Sequence, residues 1–193
     1  MISHLKQEEI MQMVQQIKDI YGENLKENVG TVHDYLGMTF DYSFDKEVQI
    51  NMWDYIKMVI GEFPEEVTGV CATPASDYLF KVRENGTKLN EELAEAFHHT
   101  VHQLLFAANR ARRDIQTAVS FLTTRVKNPD EDDWGKLVRV LKYLNGTRFM
   151  KLILSTDEMN FTIHWYNDGS HQVHKDCQGI DCMSHGDGKG SSM

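Results

Sequence analysis

The chain is poor in proline and cysteine, with three of each among 193 residues. Cys71, Cys177 and Cys182 leave one thiol unpaired in any disulfide scheme, so a disulfide-built secreted scaffold is a poor fit and a reducing compartment is expected. No apolar run nears the roughly 18 residues of a membrane span. The opening "MISHLKQEEI" has no hydrophobic signal core. The expectation is an intracellular protein, cytoplasmic or nuclear, with no signal peptide and no membrane partner. Positive charge is scarce too: 20 Lys and Arg stand against 29 Asp and Glu, a formal charge of −9. That balance argues against strong autonomous nucleic-acid binding, which rests on a basic face. Only local groups such as Arg110, Arg112 and Arg113 remain for it. Hydrophobic residues make up 41%, enough for a core, and there is no internal repeat.

Hydrophobic spacing supplies the elements. Ile10, Val14, Ile17 and Tyr21 fall on one face of a helix over residues 7–21. In "TVHDYLGMTFDYS", Leu36, Met38, Phe40 and Tyr42 alternate as a strand with one buried face. "EVQINM" is its hairpin partner. Asn51 is placed to cap a helix over 52–62 that turns Trp53, Ile56 and Ile60 inward. Signals weaken from Pro64 to Thr87, where a loop and at most one short strand are expected. Asn90 caps a helix over 91–109 with Leu93, Phe97, Val101, Leu104 and Leu105 as its stripe. A second runs over 114–126 with Asp114 as its cap, and a third over 134–144, ending at Gly146. The period then turns to alternation: "FMKLILS", "FTIHWYND", "HQVH" and residues 180–184 read as four strands, and the Gly- and Ser-rich tail as disorder. Four strands without a following helix leave a sheet face uncovered, so the expectation is a chain cut short rather than finished.

Taken in order, "HDYLGMTFDYS", "ATPASDYLF", "FHHTVHQLLFAANRARRDIQTAVSFLTTRVKNPDEDDWGKLVRVLKYLNGT" and "YNDGSHQVHKDCQG" resemble the C-terminal part of a copia-type retrotransposon Pol polyprotein, where reverse transcriptase runs into ribonuclease H. The resemblance covers nearly the whole chain, and the middle block is its most specific part. It implies an α+β fold. Residues 1–62 would be the end of a palm, a helix plus a β-hairpin. Residues 63–146 would be a helical thumb or connection group, and 147–193 the truncated first strands of a ribonuclease H-like sheet.

In that family a Tyr-x-Asp-Asp turn carries two polymerase metal ligands, and this sequence contains none. Nucleotidyl transfer needs clustered carboxylates around two divalent ions, so the chain alone is expected to be inactive as a polymerase. The resemblance makes Tyr35, Leu36, Gly37 and Met38 a primer-grip-like hairpin that touches nucleic acid; on pattern alone they are an ordinary strand with a bulge glycine. It makes Asp168 the first catalytic aspartate of ribonuclease H and a Mg²⁺ ligand in the intact parent only, its later acidic partners being absent. RNA–DNA hybrid or primer–template would be the parent's partner, with weak or no binding by this piece and no cofactor of its own.

Other constellations compete. Arg110 and Arg113 could contact a phosphate backbone, or pair with acids in "NPDEDD". His171, His174, Cys177, Cys182 and His185 have spacings of three, three, five and three, which invites zinc; on a strand, though, two histidines three apart face opposite sides. His98 and His102 lie at i and i+4 on a helix but without a third ligand, and packing is the better account. A non-enzymatic nucleic-acid-binding or assembly module is the main alternative, and a zinc module the third.

Overall fold

Helical spacing gives way twice to alternation, and the elements follow those changes. The computed structural model describes residues 6–22, 27–83, 85–155, 163–170 and 180–187, the last two segments as backbone. The order is α1 (Gln7–Tyr21), β1 (Val32–Tyr35), β2 (Met38–Phe44), β3 (Glu47–Asn51), α2 (Trp53–Glu62), α3 (Glu91–Arg110), a 3-10 turn (Arg113–Ile115), α4 (Gln116–Thr123), α5 (Glu131–Gly146), β4 (Leu152–Ser155), β5 (Ile163–Ser170) and β6 (Ile180–Asp187). The fold is α+β. The chain divides into two units, Met1–Thr31 and Val32–Met193.

In the first unit α1 begins with Glu8 and Glu9, which suit the positive end of the helix dipole. Gln15 donates to Asp19 one turn on, and Lys18 pairs with Glu27 at 2.9 Å. Ile10, Val14 and Ile17 are half-buried as their spacing predicts, whereas Tyr21 is exposed.

In the second unit an antiparallel sheet has the order β1-β2-β3-β4. Phe40 pairs with Ile50, and Ile50 with Leu152, so one apolar row crosses three strands. Leu152–Ser155, grouped by its alternation with the strands after it, pairs with β3 about a hundred residues earlier in the chain. β5 and β6 form a separate two-stranded ribbon in which Asp168 lies opposite Cys182. The expected "HQVH" strand lies outside the described residues.

The core sits among α2, α3, α4 and α5. Phe97, Val101, Leu104, Ile115, Phe121, Leu122, Leu137, Leu141 and Leu144 are fully buried. Each such side chain contributes roughly 1.5–3 kcal/mol by leaving water. Asn90 caps α3 by accepting from the Leu93 amide at 2.8 Å. Asp130 and Asp133 form a reciprocal capping box at the start of α5. α2 starts one residue later than expected, with Asn51 accepting from the Trp53 amide. Its buried residues are Ile56 and Val59, and Trp53 and Ile60 are only half-buried.

Asp114 is not a helix cap. Its carboxylate takes both Nε and Nη2 of Arg112, and α4 starts at Gln116 with no side-chain cap. A buried guanidinium attracts the carboxylate more strongly than a backbone amide does. Residues 64–90 hold no strand among those described, only a bridge between Lys88 and Asp130.

Candidate nucleic-acid interface

The stretch Tyr35–Met38 is the tip of a hairpin. Tyr35 and Met38 are register partners, which leaves Leu36 and Gly37 as a two-residue turn. Both have positive φ, 51° and 74°. That pair of signs belongs to the type I′ turn, whose twist matches the flanking strands. Gly37 tolerates it freely; Leu36 carries a Cβ into the left-handed region at a cost of about 1–2 kcal/mol. An ordinary strand through all four residues, the simplest reading of the alternation, is therefore not what forms.

The four residues divide by environment. Tyr35 and Leu36 are 52% and 58% exposed, while Met38 is buried. A Cβ at Gly37 would lie 3.2 Å from Cδ2 of Tyr55, so this glycine admits a close approach by a side chain of α2. Tyr55 donates its hydroxyl to the Gln103 carbonyl at 3.2 Å and packs its ring 5.3 Å from Phe106. Arg110 lies over the opposite end of that ladder, its guanidinium carbon 5.2 Å from the Phe106 ring centre. The hairpin tip and Arg110 are thus joined through Tyr55 and Phe106. Burial, then the charge of Glu62, pushes the Tyr55 hydroxyl above its ordinary value.

Tyr55 and Phe106 escaped the sequence reading. Aromatic residues on helical faces are ordinary core signals, and only tertiary contact makes these two a support. Arg113 is half-buried in the 3-10 turn; no contact joins it to the ladder among the described interactions. Neither Arg110 nor Arg113 reaches the acids of "NPDEDD". Those acids pair instead with Arg125, whose Nε lies 3.0 Å from Asp133 and whose Nη2 lies 3.9 Å from Asp130, and with Arg83 and Lys136 at Asp132.

The arginine between them, Arg112, has no accessible surface. Its guanidinium meets Asp114 at 2.7 Å, the Thr147 carbonyl at 3.1 Å and the Thr147 hydroxyl at 2.6 Å. It also faces the Tyr143 ring at 5.7 Å. The basic cluster therefore contains one structural cation and two at the surface or partly so.

His98 and His102 stand edge to face with ring centres 4.3 Å apart, and Nδ1 of His102 lies 2.8 Å from the His98 carbonyl oxygen. One ring nitrogen is thereby engaged by the helix itself. No cluster of three metal-ligating side chains occurs among the described residues. Asp168 lies two residues before the end of β5, and of the zinc alternative only Cys182 and His185 fall on a described element, β6. His171, His174 and Cys177 lie outside the described residues. No described helix is long and apolar enough to cross a membrane.

No family model matches the chain, and no solved structure matches it. A transposon Ty5-1 protein of Saccharomyces cerevisiae is 30% identical over 147 residues, which is 75% of this chain and 46% of that protein. The chain spans about half the length of the curated relative it matches. On that likeness the chain is a transposon-related protein.

Proposed function

We propose that the chain is a piece of a copia-type retrotransposon Pol polyprotein, running from the end of a reverse-transcriptase palm into the start of ribonuclease H. The parent would be an RNA-directed DNA polymerase and hybrid nuclease. The observation that carries this reading is the hairpin tip: a strained, exposed Leu36 beside an exposed Tyr35, buttressed by Tyr55 and Phe106, with Arg110 on the same ladder. Strained backbone held by its surroundings is what a ligand-positioning turn needs. Two exposed apolar groups would lie against the sugar edge of a primer strand, while Arg110 answers a phosphate.

Asp168 would hold Mg²⁺ in the intact parent as the first of several carboxylates. Two-metal hydrolysis needs partners for it, because Mg²⁺ yields its waters reluctantly to a single carboxylate. This sequence has no Tyr-x-Asp-Asp, so the chain alone is expected to extend no primer, and Asp168 without its partner acids is expected to cut no hybrid. Its partner in the parent is primer–template or hybrid duplex.

The test places a photo-crosslinking residue at Leu36 in the full-length polyprotein bound to primer–template. Crosslinks concentrated on the primer strand near its 3′ end support the reading. Crosslinks to protein alone, with polymerisation intact, contradict the primer contact at the hairpin, and a polyprotein that extends no primer contradicts the polymerase reading.

A further inference from the structure

A groove lies between the loop Pro74–Arg83 and the first three turns of α5, with a volume of about 910 Å³. Small-ligand sites span about 300–1,000 Å³, so it has room for more than a single ring. Its floor is apolar, formed by Leu79 and the ring of Phe80, which meets Phe121 edge to face at 5.6 Å. Its rim carries an exposed aromatic ring, Tyr78, 61% exposed, with the Lys81 ammonium 4.4 Å from the ring centre.

Charge in the groove runs against the rest of the chain. Lys81, Arg83, Lys136 and Arg139 line it against Glu131 and Asp132, four cations to two acids, while the whole chain carries −9. Lys136 is held by the Lys81 carbonyl at 2.7 Å and by Asp132 at 3.2 Å, and Arg139 by the Thr73 hydroxyl at 2.9 Å. Arg83 meets Asp132 only at 3.5 Å with its side chain 73% exposed, so it exchanges partners at little cost. Nε of Arg139 is buried with no hydrogen-bond partner, so this guanidinium is not fully satisfied by the protein.

We propose that this groove binds a single nucleic-acid strand, with a base stacked on the Tyr78 ring opposite the face that the Lys81 ammonium covers, and its phosphates on Lys81 and Arg83. The aromatic Tyr78 followed by the cations Lys81 and Arg83 places a stacking surface and two charges within one short segment. Bases in a duplex already stack on one another, whereas an unpaired base has a face to offer to a ring. An acidic peptide would meet the cations but leave Tyr78 without a role. The site is separate from the hairpin tip, and the proposal stands on the groove's own chemistry whether or not the polymerase reading holds.

The experiment measures fluorescence anisotropy of a labelled oligothymidylate of about 12 nucleotides with the full 193-residue chain, from about 50 to about 200 mM salt. Saturable binding that weakens with salt is expected. Tyr78→Ala should weaken it about tenfold while Tyr78→Phe retains it, since stacking is worth about 1–3 kcal/mol per base. Arg83→Glu should weaken it too, and Lys127→Glu, a charge change outside the groove, should not. Circular dichroism of each variant checks the fold. Absence of wild-type binding at low salt, equal binding by a folded Tyr78→Ala, or competition by polyglutamate as strong as by unlabelled oligonucleotide would each overturn the proposal. Retained oligothymidylate binding beside a full-length polyprotein that extends no primer would uphold the groove and reject the polymerase reading.

Discussion

The guanidinium of Arg112 grips both oxygens of Thr147, the carbonyl at 3.1 Å and the hydroxyl at 2.6 Å, across 35 residues of sequence. Thr147 is the C-cap of α5 and also donates back to the Tyr143 carbonyl. One arginine thereby closes the end of a core helix, neutralises Asp114 and fixes where the chain leaves for β4. β4 in turn pairs with β3, the strand behind the hairpin that carries Leu36 and Gly37.

Removing Arg112 leaves a carboxylate and a carbonyl without their donors. Arg112→Ala is expected to lower unfolding free energy by about 3 kcal/mol, the low end of the cost of breaking a buried pair from one side, because Asp114 keeps 24% of its side chain in water. Arg112→Lys keeps the charge but not the fork, and is expected to cost about 1–3 kcal/mol. Urea unfolding followed by circular dichroism measures both. An Arg112→Ala protein within about 1 kcal/mol of wild type would refute a structural role.

The turn makes two opposite predictions. Gly37→Ala places a methyl group at positive φ and 3.2 Å from Tyr55, and should cost about 1–2 kcal/mol or more. Leu36→Asn should instead raise stability by up to about 1 kcal/mol, because asparagine adopts the left-handed region more readily. The same substitution in the parent should weaken primer–template binding. Unfolding midpoints of the two variants moving in the same direction would contradict the turn assignment.

Tyr143 couples the Arg112 site to alkaline pH. Burial first, then the hydrogen bond and charge of Asp114, push its hydroxyl up, with Arg112 pulling the other way. The unfolded chain loses this proton near about pH 10, while the folded chain keeps it to higher pH. The associated stability is fully present below about pH 10 and is lost as pH rises through the folded value. Tyr143→Phe lacks the proton, so the stability gap between wild type and variant should narrow above about pH 10. A gap constant from neutral to alkaline pH would show that the hydroxyl is not linked to folding.

How much of this was legible depended on how local the cause was. α1 and α3 matched their expected bounds closely, because a 3.6-residue stripe and the Asn90 cap are written in neighbouring residues. The Leu36–Gly37 turn was not read, since alternation of Leu36 and Met38 fits a continuous strand as well as a folded one. Leucine carries no signal for positive φ; the usual marker is Asn-Gly or Asp-Gly. Asp114 was misread as a cap because its competitor, Arg112, is buried by contacts with residues beyond 140 that no local window contains. The pairing of β4 with β3 is hidden for the same reason. Arg110 was singled out from charge alone, and its link to the hairpin needed Tyr55 and Phe106 in place.

The zinc alternative has a direct test. Circular dichroism and thermal midpoint should be the same in EDTA and with added Zn²⁺, because a structural zinc site contributes folding energy outright. Tight stoichiometric zinc lost on changing Cys177 and Cys182 to Ser would establish a site there instead.

The central claim, that this is reverse transcriptase running into ribonuclease H, is tested most directly at Asp168. In a complete polyprotein, Asp168→Asn would remove a carboxylate that holds metal while keeping the shape of the side chain. Two-metal cleavage depends on carboxylates that fix the ions about 4 Å apart. The measurement is a paired assay on the wild-type and Asp168→Asn polyproteins, RNA release from a hybrid beside primer extension. The account predicts that cleavage is abolished and extension is spared; intact cleavage by the asparagine variant would contradict it.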